Sequence, residues 1–409
     1  MKEGDYLPNI ARKIRIYPDD EQSIIINNTF NVCRFIWNQM LEESIKSFDN
    51  GKLMIPNYGD IVLQNSWMSK DNKEYRFDRH AASNTKLFLR SAFDRYRDKA
   101  KKSNNKKGDT KKRKDGREKG FPRFKARKYC KNSYTNYNAW CSCHIDNDNH
   151  LIKIPCLGWV KYNPREKNIS DDWKIKHITI SKSNTGKYYC SICFEYSIDI
   201  EYILKNKDKN NNIIGLDYSS SSLYVDSEGN KGNYPKYYRS SQQRLRLLQQ
   251  KFSRQRKGGK NRENTLNKIR ILHEKISNQR KDFLHKLSTS ITKKFRIICV
   301  EDINMRDMSQ CLRLGKSTMD NGFGMFREML SYKQDRIPYH ELIRVNQWIF
   351  PSSKRCSKCG HVKSELKLKD RIYECNECGK VIDRDINAAT NLKQYAFHQI
   401  NGLKILCWK

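Results

Sequence analysis

Two Cys-x2-Cys pairs, Cys356–Cys359 and Cys375–Cys378, constrain the fold more than any other stretch of the 409 residues. Each is followed by glycine, Gly360 and Gly379, and fifteen residues lie between the pairs. Such a pattern forms two knuckles whose thiolates share one tetrahedral ion. Four sulfur ligands close the coordination sphere, so the expected group is a single structural Zn2+ with no chemistry of its own. The chain holds 14 cysteines, but its opening, MKEGD, has no apolar core of a secretion signal. A reducing cytosol, where metal ligation outweighs disulfides, is therefore expected. Cys190-x2-Cys193 and Cys141-x-Cys143 invite a second metal site. Residues three apart on a strand point to opposite faces, which argues against it.

Lys and Arg number 81 against 45 Asp and Glu, a net charge of +36, and only 37% of residues are hydrophobic. Apolar runs such as Ile24–Ile26 and Ile297–Val300 fall far short of the ~20 residues of a membrane-spanning helix. The bases are dispersed among 22 Tyr, 16 Phe and 7 Trp. A solvated basic surface would need no such aromatics, whereas a long polyanion whose phosphates release counterions to Lys and Arg matches both. Nucleic acid is the expected partner.

Residues 10–17, IARKIRIY, alternate as a strand and stop at Pro18. A helix is expected from about Glu21, with Phe30, Cys33, Trp37 and Leu41 on its apolar face. A second is expected near 80–100, where Leu89, Ala92, Phe93 and Tyr96 share a side. On that helix Asn84 and Lys86 are candidates for reading base edges. The polybasic tract 99–131 predicts a flexible loop in its middle. It ends in Phe121-Pro122-Arg123-Phe124-Lys125, and Arg123, Lys125 and Arg127 are candidate nucleic-acid contacts. Alternation in HLIKIPCLGWVKY, HITISKS and KYYCSICFEYSI predicts a basic sheet or barrel over 150–200, and the polar stretch 203–212 a linker.

Ile213–Asp217 then reads as a strand ending in a carboxylate, followed by a second strand and the turn SEGN. Two helices follow, with Leu245, Leu248 and Phe252 on one face of the first and Ile269, Leu272, Ile276, Phe283 and Leu287 along the second. Phe295–Val300, a buried strand, runs into Glu301-Asp302, and VIDRDINAATNL places Asp383 and Asp385 before an Ala-rich helix. Taken singly, Asp217 opens a turn, Glu301 ends a strand, and Asp385 N-caps a helix beginning near Asn387. Their order is that of a ribonuclease-H-like α/β fold, in which three distant carboxylates meet at one sheet edge. Such acids suit paired Mg2+ ions about 3.5–4 Å apart, which activate water and stabilise the leaving 3′ oxygen in phosphodiester hydrolysis.

These residues resemble the TnpB family, RNA-guided nucleases of insertion-sequence transposons related to compact type V CRISPR effectors and to Fanzor proteins. The resemblance is carried by RIYPDDEQ with FNVCRFIWNQML, then GFPRFK, IPCLGWVKY, GLD, HEKISNQRKDFLHKLST, VEDINMRDM, PSSKRCSKCG and DRDINAATNL. It implies a multidomain α/β chain: a wedge domain in two segments, 1–18 and a β-rich 119–205, and a helical recognition lobe over 19–118 with a basic loop. A RuvC-like nuclease would span 206–350 and 381–409, the second part including the tail, with a zinc ribbon inserted at 351–380. Asp217, Glu301 and Asp385 match the catalytic, Mg2+-binding carboxylates, with Mn2+ able to substitute. Asp383 matches the neighbouring acid, and Cys356, Cys359, Cys375 and Cys378 the zinc ligands.

The implied partners are a guide RNA from the transposon end and double-stranded target DNA beside a short motif. A monomer is implied, acting in the bacterial or archaeal cytosol or nucleoid, or in a eukaryotic nucleus, with no membrane partner. The competing readings are a CRISPR effector, a nuclease-dead RNA-guided repressor, and a cut-and-paste transposase, which the ribbon between Glu301 and Asp385 disfavours. The insert KSNNKKGDTKKRKDGREK, the stretch CSCHIDNDNH and the tail NGLKILCWK depart from the family pattern.

Overall fold

The computed structural model describes residues 8–69, 72, 74–104, 117–118, 120–128, 131–166, 169–197, 213–305, 308, 320–366 and 370–400. The middle of the polybasic tract, the 203–212 linker and the tail from 401 lie outside the described residues. The chain divides into two units, Met1–Ile198 and Asp199–Lys409.

In the first unit, strand β1 (Asn9–Tyr17) leads into helix α1 (Asp20–Asp49). The helix begins at a capping box: Asp19 accepts from the Gln22 amide at 2.8 Å, and the Gln22 side chain accepts from the Asp19 amide at 3.1 Å. Short α2 (Tyr58–Leu63) follows. Where one helix is expected near 80–100, there are two, α3 (Arg79–Ser83) and α4 (Thr85–Asn104), broken at Asn84. Buried Asp78 accepts from the Ala81 amide and starts the first of them.

Six more strands complete a seven-stranded antiparallel sheet: β2 (Ser133–Asn136), β3 (His144–Asp146), β4 (Leu151–Ile154), β5 (Gly158–Tyr162), β6 (Lys174–Lys182) and β7 (Tyr188–Glu195). Their order is β2-β6-β7-β1-β5-β4-β3. Alternation along β7 buries Cys190, Ile192 and Phe194 and leaves Cys193 half-buried on the other face, so Cys190 and Cys193 do not converge. Helix α1 serves two cores. Ile25, Ile26 and Phe30 pack on the sheet, while Val32, Ile36, Trp37, Met40 and Leu41 pack with Leu89, Phe93 and Phe121.

The second unit opens with an antiparallel pair, β8 (Ile213–Ser219) and β9 (Leu223–Asp226). Helices α5 (Tyr237–Arg254) and α6 (Lys260–Lys294) cross over to β10 (Ile297–Glu301). Helix α7 (Phe323–Gln334) leads to β11 (Glu341–Val345). The sheet order is β11-β10-β8-β9, with β8, β10 and β11 mutually parallel. The continuous apolar run of β10 reflects burial on both faces. A two-stranded ribbon, β12 (Ile372–Glu374) and β13 (Val381–Asp383), precedes α8 (Arg384–Ile400). No described helix is long and apolar enough to cross a membrane.

Candidate functional site

Strands β8 and β10 run in register, with Ile297 opposite Ile213 and Val300 opposite Leu216. Side chains 213, 215 and 217 therefore share a face with 297, 299 and 301. That face carries α8: Ile213, Ile297 and Cys299 pack with Leu392 and Ala396. The opposite face, Ile214, Leu216, Ile298 and Val300, packs with Leu284, Phe323 and Phe326. Helix α8 lies so close to β8 that a Cβ on Gly215 would stand 2.0 Å from the carbonyl oxygen of Ala389 and 2.7 Å from the Lys393 nitrogen. Only glycine allows this approach, and it brings the first turn of α8, with Asp385, beside the strand end carrying Asp217.

Asp217 is half-buried, and its carboxyl is pushed well above the usual carboxylate range. Burial is the first cause, and the charges of Glu301 and Asp385 add to it; the Arg384 guanidinium and the Tyr218 amide pull the other way. Glu301 is also raised by burial, against a hydrogen bond donated by Ser352 Oγ. Asp385 sits 3.3 Å from Arg384 and 3.9 Å from Arg371. It does not cap α8. The helix starts three residues earlier than expected, and Asp383 is its cap, accepting from the Asp385 amide at 2.9 Å and the Ile386 amide at 3.1 Å. Asp302, next to Glu301, turns away to an ion pair with Arg327 at 3.0 Å. The charges of Glu301 and Asp385 thus both disfavour ionisation of Asp217, an arrangement that a bound cation relieves.

The four cysteines behave differently. Cys356 and Cys378 sulfurs lie 3.6 Å apart, Cys359 and Cys375 sulfurs 3.5 Å apart, and all four fall within 4.8 Å of one another. Tetrahedral sulfur around an ion at about 2.3 Å requires edges of roughly 3.8 Å, so the donor set fits a closed metal site. Burial, which would raise the Cys356 thiol, is outweighed by backbone amides of Cys359 and Lys358 and by the Cys378 and Cys359 thiols, which hold it at about 6.

Several residues that sequence reasoning missed tie the two clusters together. Ser352, fully buried, bonds Glu301 through its hydroxyl, and its carbonyl accepts from Asn391 at 2.8 Å. Asn387 donates to the Arg355 carbonyl at 2.6 Å and accepts from the Ser357 amide at 3.0 Å; Gln394 donates to the Ser357 carbonyl at 2.9 Å. The signal was present: Asn387, Asn391 and Gln394 fall at i, i+4 and i+7, one face of a helix. A polar cavity of about 200 Å³ lies at the end of β8, lined by Ser220, Ser221, Lys236 and Arg239.

The candidate nucleic-acid residues are in the first unit. Asn84 Nδ2 donates to the Thr135 carbonyl at 3.3 Å, and Lys86 bonds the Asn57 side chain, so both are engaged internally. Trp37 donates to the Arg123 carbonyl at 2.9 Å, and Lys125 lies 3.7 Å over the Trp37 ring, docking the segment on α1. Arg123 and Arg127 are exposed.

Comparison with known proteins follows the same division. A family profile described as "Probable transposase", that of OrfB of IS605, matches residues 191–312, and one described as "Cas12f1-like, TNB domain" matches 323–392. A "Helix-turn-helix domain" profile of the same family matches 9–52, although those residues form one strand and one 30-residue helix. These three segments therefore resemble OrfB-type transposon proteins.

A protein of Streptomyces pristinaespiralis named "Putative RNA-guided DNA endonuclease" is 28% identical over 93% of this chain and 88% of its own length. InsQ of Escherichia coli K12, named likewise, is 27% identical over 93% of this chain and 91% of its own. Over nearly its whole length the chain is thus similar to proteins named as RNA-guided DNA endonucleases, and its three profile matches point to TnpB-type proteins of IS605 elements. A solved complex of Cas12f1 with sgRNA and target DNA shares the fold, with TM-score 0.53 and 15% identity over 95% of this chain and 99% of that one.

Proposed function

We propose that the chain is an RNA-guided DNA endonuclease of an insertion-sequence transposon. It carries a RuvC-like, ribonuclease-H-like nuclease domain in its second unit. The observation that carries this reading is the approach of Glu301, at the end of β10, and Asp385, in the first turn of α8, to Asp217, whose carboxyl, raised first by burial, both raise further. The first unit, with its sheet and helices, takes the roles of wedge domain and recognition lobe. A guide RNA from the transposon end supplies sequence by pairing, and the protein reads shape, charge and a short adjacent motif.

When bound, a pair of Mg2+ ions supplies the Lewis acidity and activated water for in-line attack at phosphorus. The chain's own residues hold that site. Asp217 offers oxygens from within β8 and Glu301 from the end of β10, and Asp385 offers one from a helix turn fixed by the Asp383 cap. Ser352 orients Glu301, and Arg384 restrains Asp385. Water adds to phosphorus, the 3′ oxygen leaves, and one centre cuts both strands in turn. The four thiolates hold one Zn2+, which shapes the ribbon and takes no part in hydrolysis. The protein acts as a monomer in the cytosol or nucleoid.

The test uses protein purified with its RNA and a plasmid bearing the motif and target. Cleavage in Mg2+, none in EDTA, and loss in Asp217→Ala are expected. Equal cutting by Asp217→Ala would overturn the site. A type V CRISPR effector is the second reading, favoured by the Cas12f1-like fold and distinguished by a repeat array in place of transposon ends beside the gene.

A further inference from the structure

At one end of the seven-stranded sheet is a cavity of about 260 Å³ that none of the roles above uses. Trp140, Ile145, Trp173 and Phe194 form apolar walls, and Ser170 and Asp171 bring polar atoms to it. It includes part of CSCHIDNDNH, the stretch that departs from the family pattern.

The two indoles are not equivalent. Trp173 is held in place by Phe194 and Tyr196, with ring centroids at 5.4 and 5.6 Å, and by the Arg12 guanidinium 5.1 Å from its ring. Trp140, on the short 3-10 turn Tyr137–Cys141, is 68% exposed. A tryptophan left this open beside an apolar cavity has its stacking surface unspent on the core.

The charges narrow the occupant. Asp171 and His144 are the exposed titratable residues of the lining; the Asp171 carboxylate repels phosphate, so a bound polyanion turns its backbone elsewhere and presents N–H donors to Asp171. A nucleobase meets these conditions: a flat ring for the indoles and a hydrogen-bonding edge for the acid. Guanine fits best, because its N1–H and N2–H2 are adjacent donors that match both carboxylate oxygens. Adenine and cytosine set one amino group beside an acceptor, and uracil flanks its single N–H with two carbonyls.

We propose that this cavity takes an unpaired guanine of the bound RNA, stacked on Trp140 and Trp173 and read along its N1–H/N2–H edge by Asp171. The source is RNA because a splayed-out, unpaired base is a feature of folded RNA, whereas target DNA is bound as a duplex or paired with the guide. This rests on the RNA-guided reading above.

The test uses the full chain and the RNA that co-purifies with it, sequenced and transcribed, with Kd measured across a salt series. Trp140→Ala is expected to weaken binding about tenfold, the scale of one lost base stack, and Trp140→Phe to restore most of it. The slope of log Kd against log salt should not change, because stacking releases no counterions. Inosine in place of the guanosine that the bound protein shields from a guanine-specific ribonuclease removes the N2 amino group; it should weaken wild type several-fold and Asp171→Asn no further. Unchanged affinity in a folded Trp140→Ala, or a loss that comes with a shallower salt slope, overturns the proposal while the RNA-guided reading stands. Equal competition by single-stranded DNA of the same sequence overturns the assignment to RNA. A wild-type chain that carries and binds no RNA overturns both.

Discussion

The second unit contains two anionic clusters in opposite electrostatic states. At the four cysteines, amide and thiol hydrogen bonds hold Cys356 down to about 6 and lower Cys375, while the neighbouring sulfurs push Cys359 up to about 12, so hydrogen bonding favours thiolates at two of the four positions. At the carboxylates, burial and like charge push Asp217 up, and Glu301 rises with burial. The first cluster is closed and prepaid with hydrogen bonds, which suits an ion that stays. The second is left short of positive charge, which suits cations and a substrate that come and go.

The largest effect should separate the two clusters by function. Asp217→Ala should lower DNA cleavage about a thousandfold or more, a barrier change of roughly 4 kcal/mol, with the zinc content still at one per chain by metal analysis. Cys356→Ser should do the reverse: zinc falls, and Tm drops by about 10 °C, corresponding to ~3 kcal/mol or more. If Cys356→Ser left Tm and zinc untouched, the closed-site half of the comparison would fail.

Gly215→Ala tests the contact that brings the carboxylates together. A methyl group 2.0 Å from the Ala389 carbonyl forces α8 away from β8, at a cost of about 1–3 kcal/mol. Cleavage should fall with Tm, whereas zinc content should not.

The raised carboxyls also carry a pH signature. Asp217 holds its proton more tightly folded than unfolded, so its ionisation destabilises the metal-free protein. That cost grows as pH rises from its ordinary value, 3.8, through the raised folded value. Asp217→Asn should therefore stabilise the metal-free chain at neutral pH, raising its Tm, while abolishing cleavage. Thermal melts in EDTA and in Mg2+ would check this, and a destabilised Asn variant would sink it.

The smallest effect concerns Ser352. Its hydroxyl favours the ionised Glu301, so Ser352→Ala should move the acid limb of the pH–rate profile upward by up to about one unit, the worth of one such hydrogen bond. Unmoved limbs would mean that Ser352 holds only the backbone.

The residues differ in how far each could be read in advance. The strand at 10–17, the helix that follows it, and the strands carrying Asp217 and Glu301 follow from alternation and apolar runs, which are local properties; the Asp19 cap was not read, and β8 runs two residues past Asp217 to Ser219, where it still pairs with β9. The helix near 80–100 was legible as helix but not as two, because buried Asp78 starts one segment before Asn84 ends it. Asp385 read most simply as a cap. The structure gives that role to Asp383, since a boundary three residues earlier changes which amides are unpaired. Asn84, Lys86 and Lys125 looked free to meet nucleic acid, yet Thr135, Asn57 and Trp37 engage them from positions far along the chain.

By itself the amino-acid order determined the ribbon, because its four ligands sit on two tight turns whose spacing sets the geometry. It also determined the polyanion-binding character, because net charge needs no fold. Only the tertiary structure decided which acids share a face. That depends on the parallel register of β8 with β10 and on how near α8 can come to Gly215. Both arise from packing between segments that are neighbours in space and far apart along the chain.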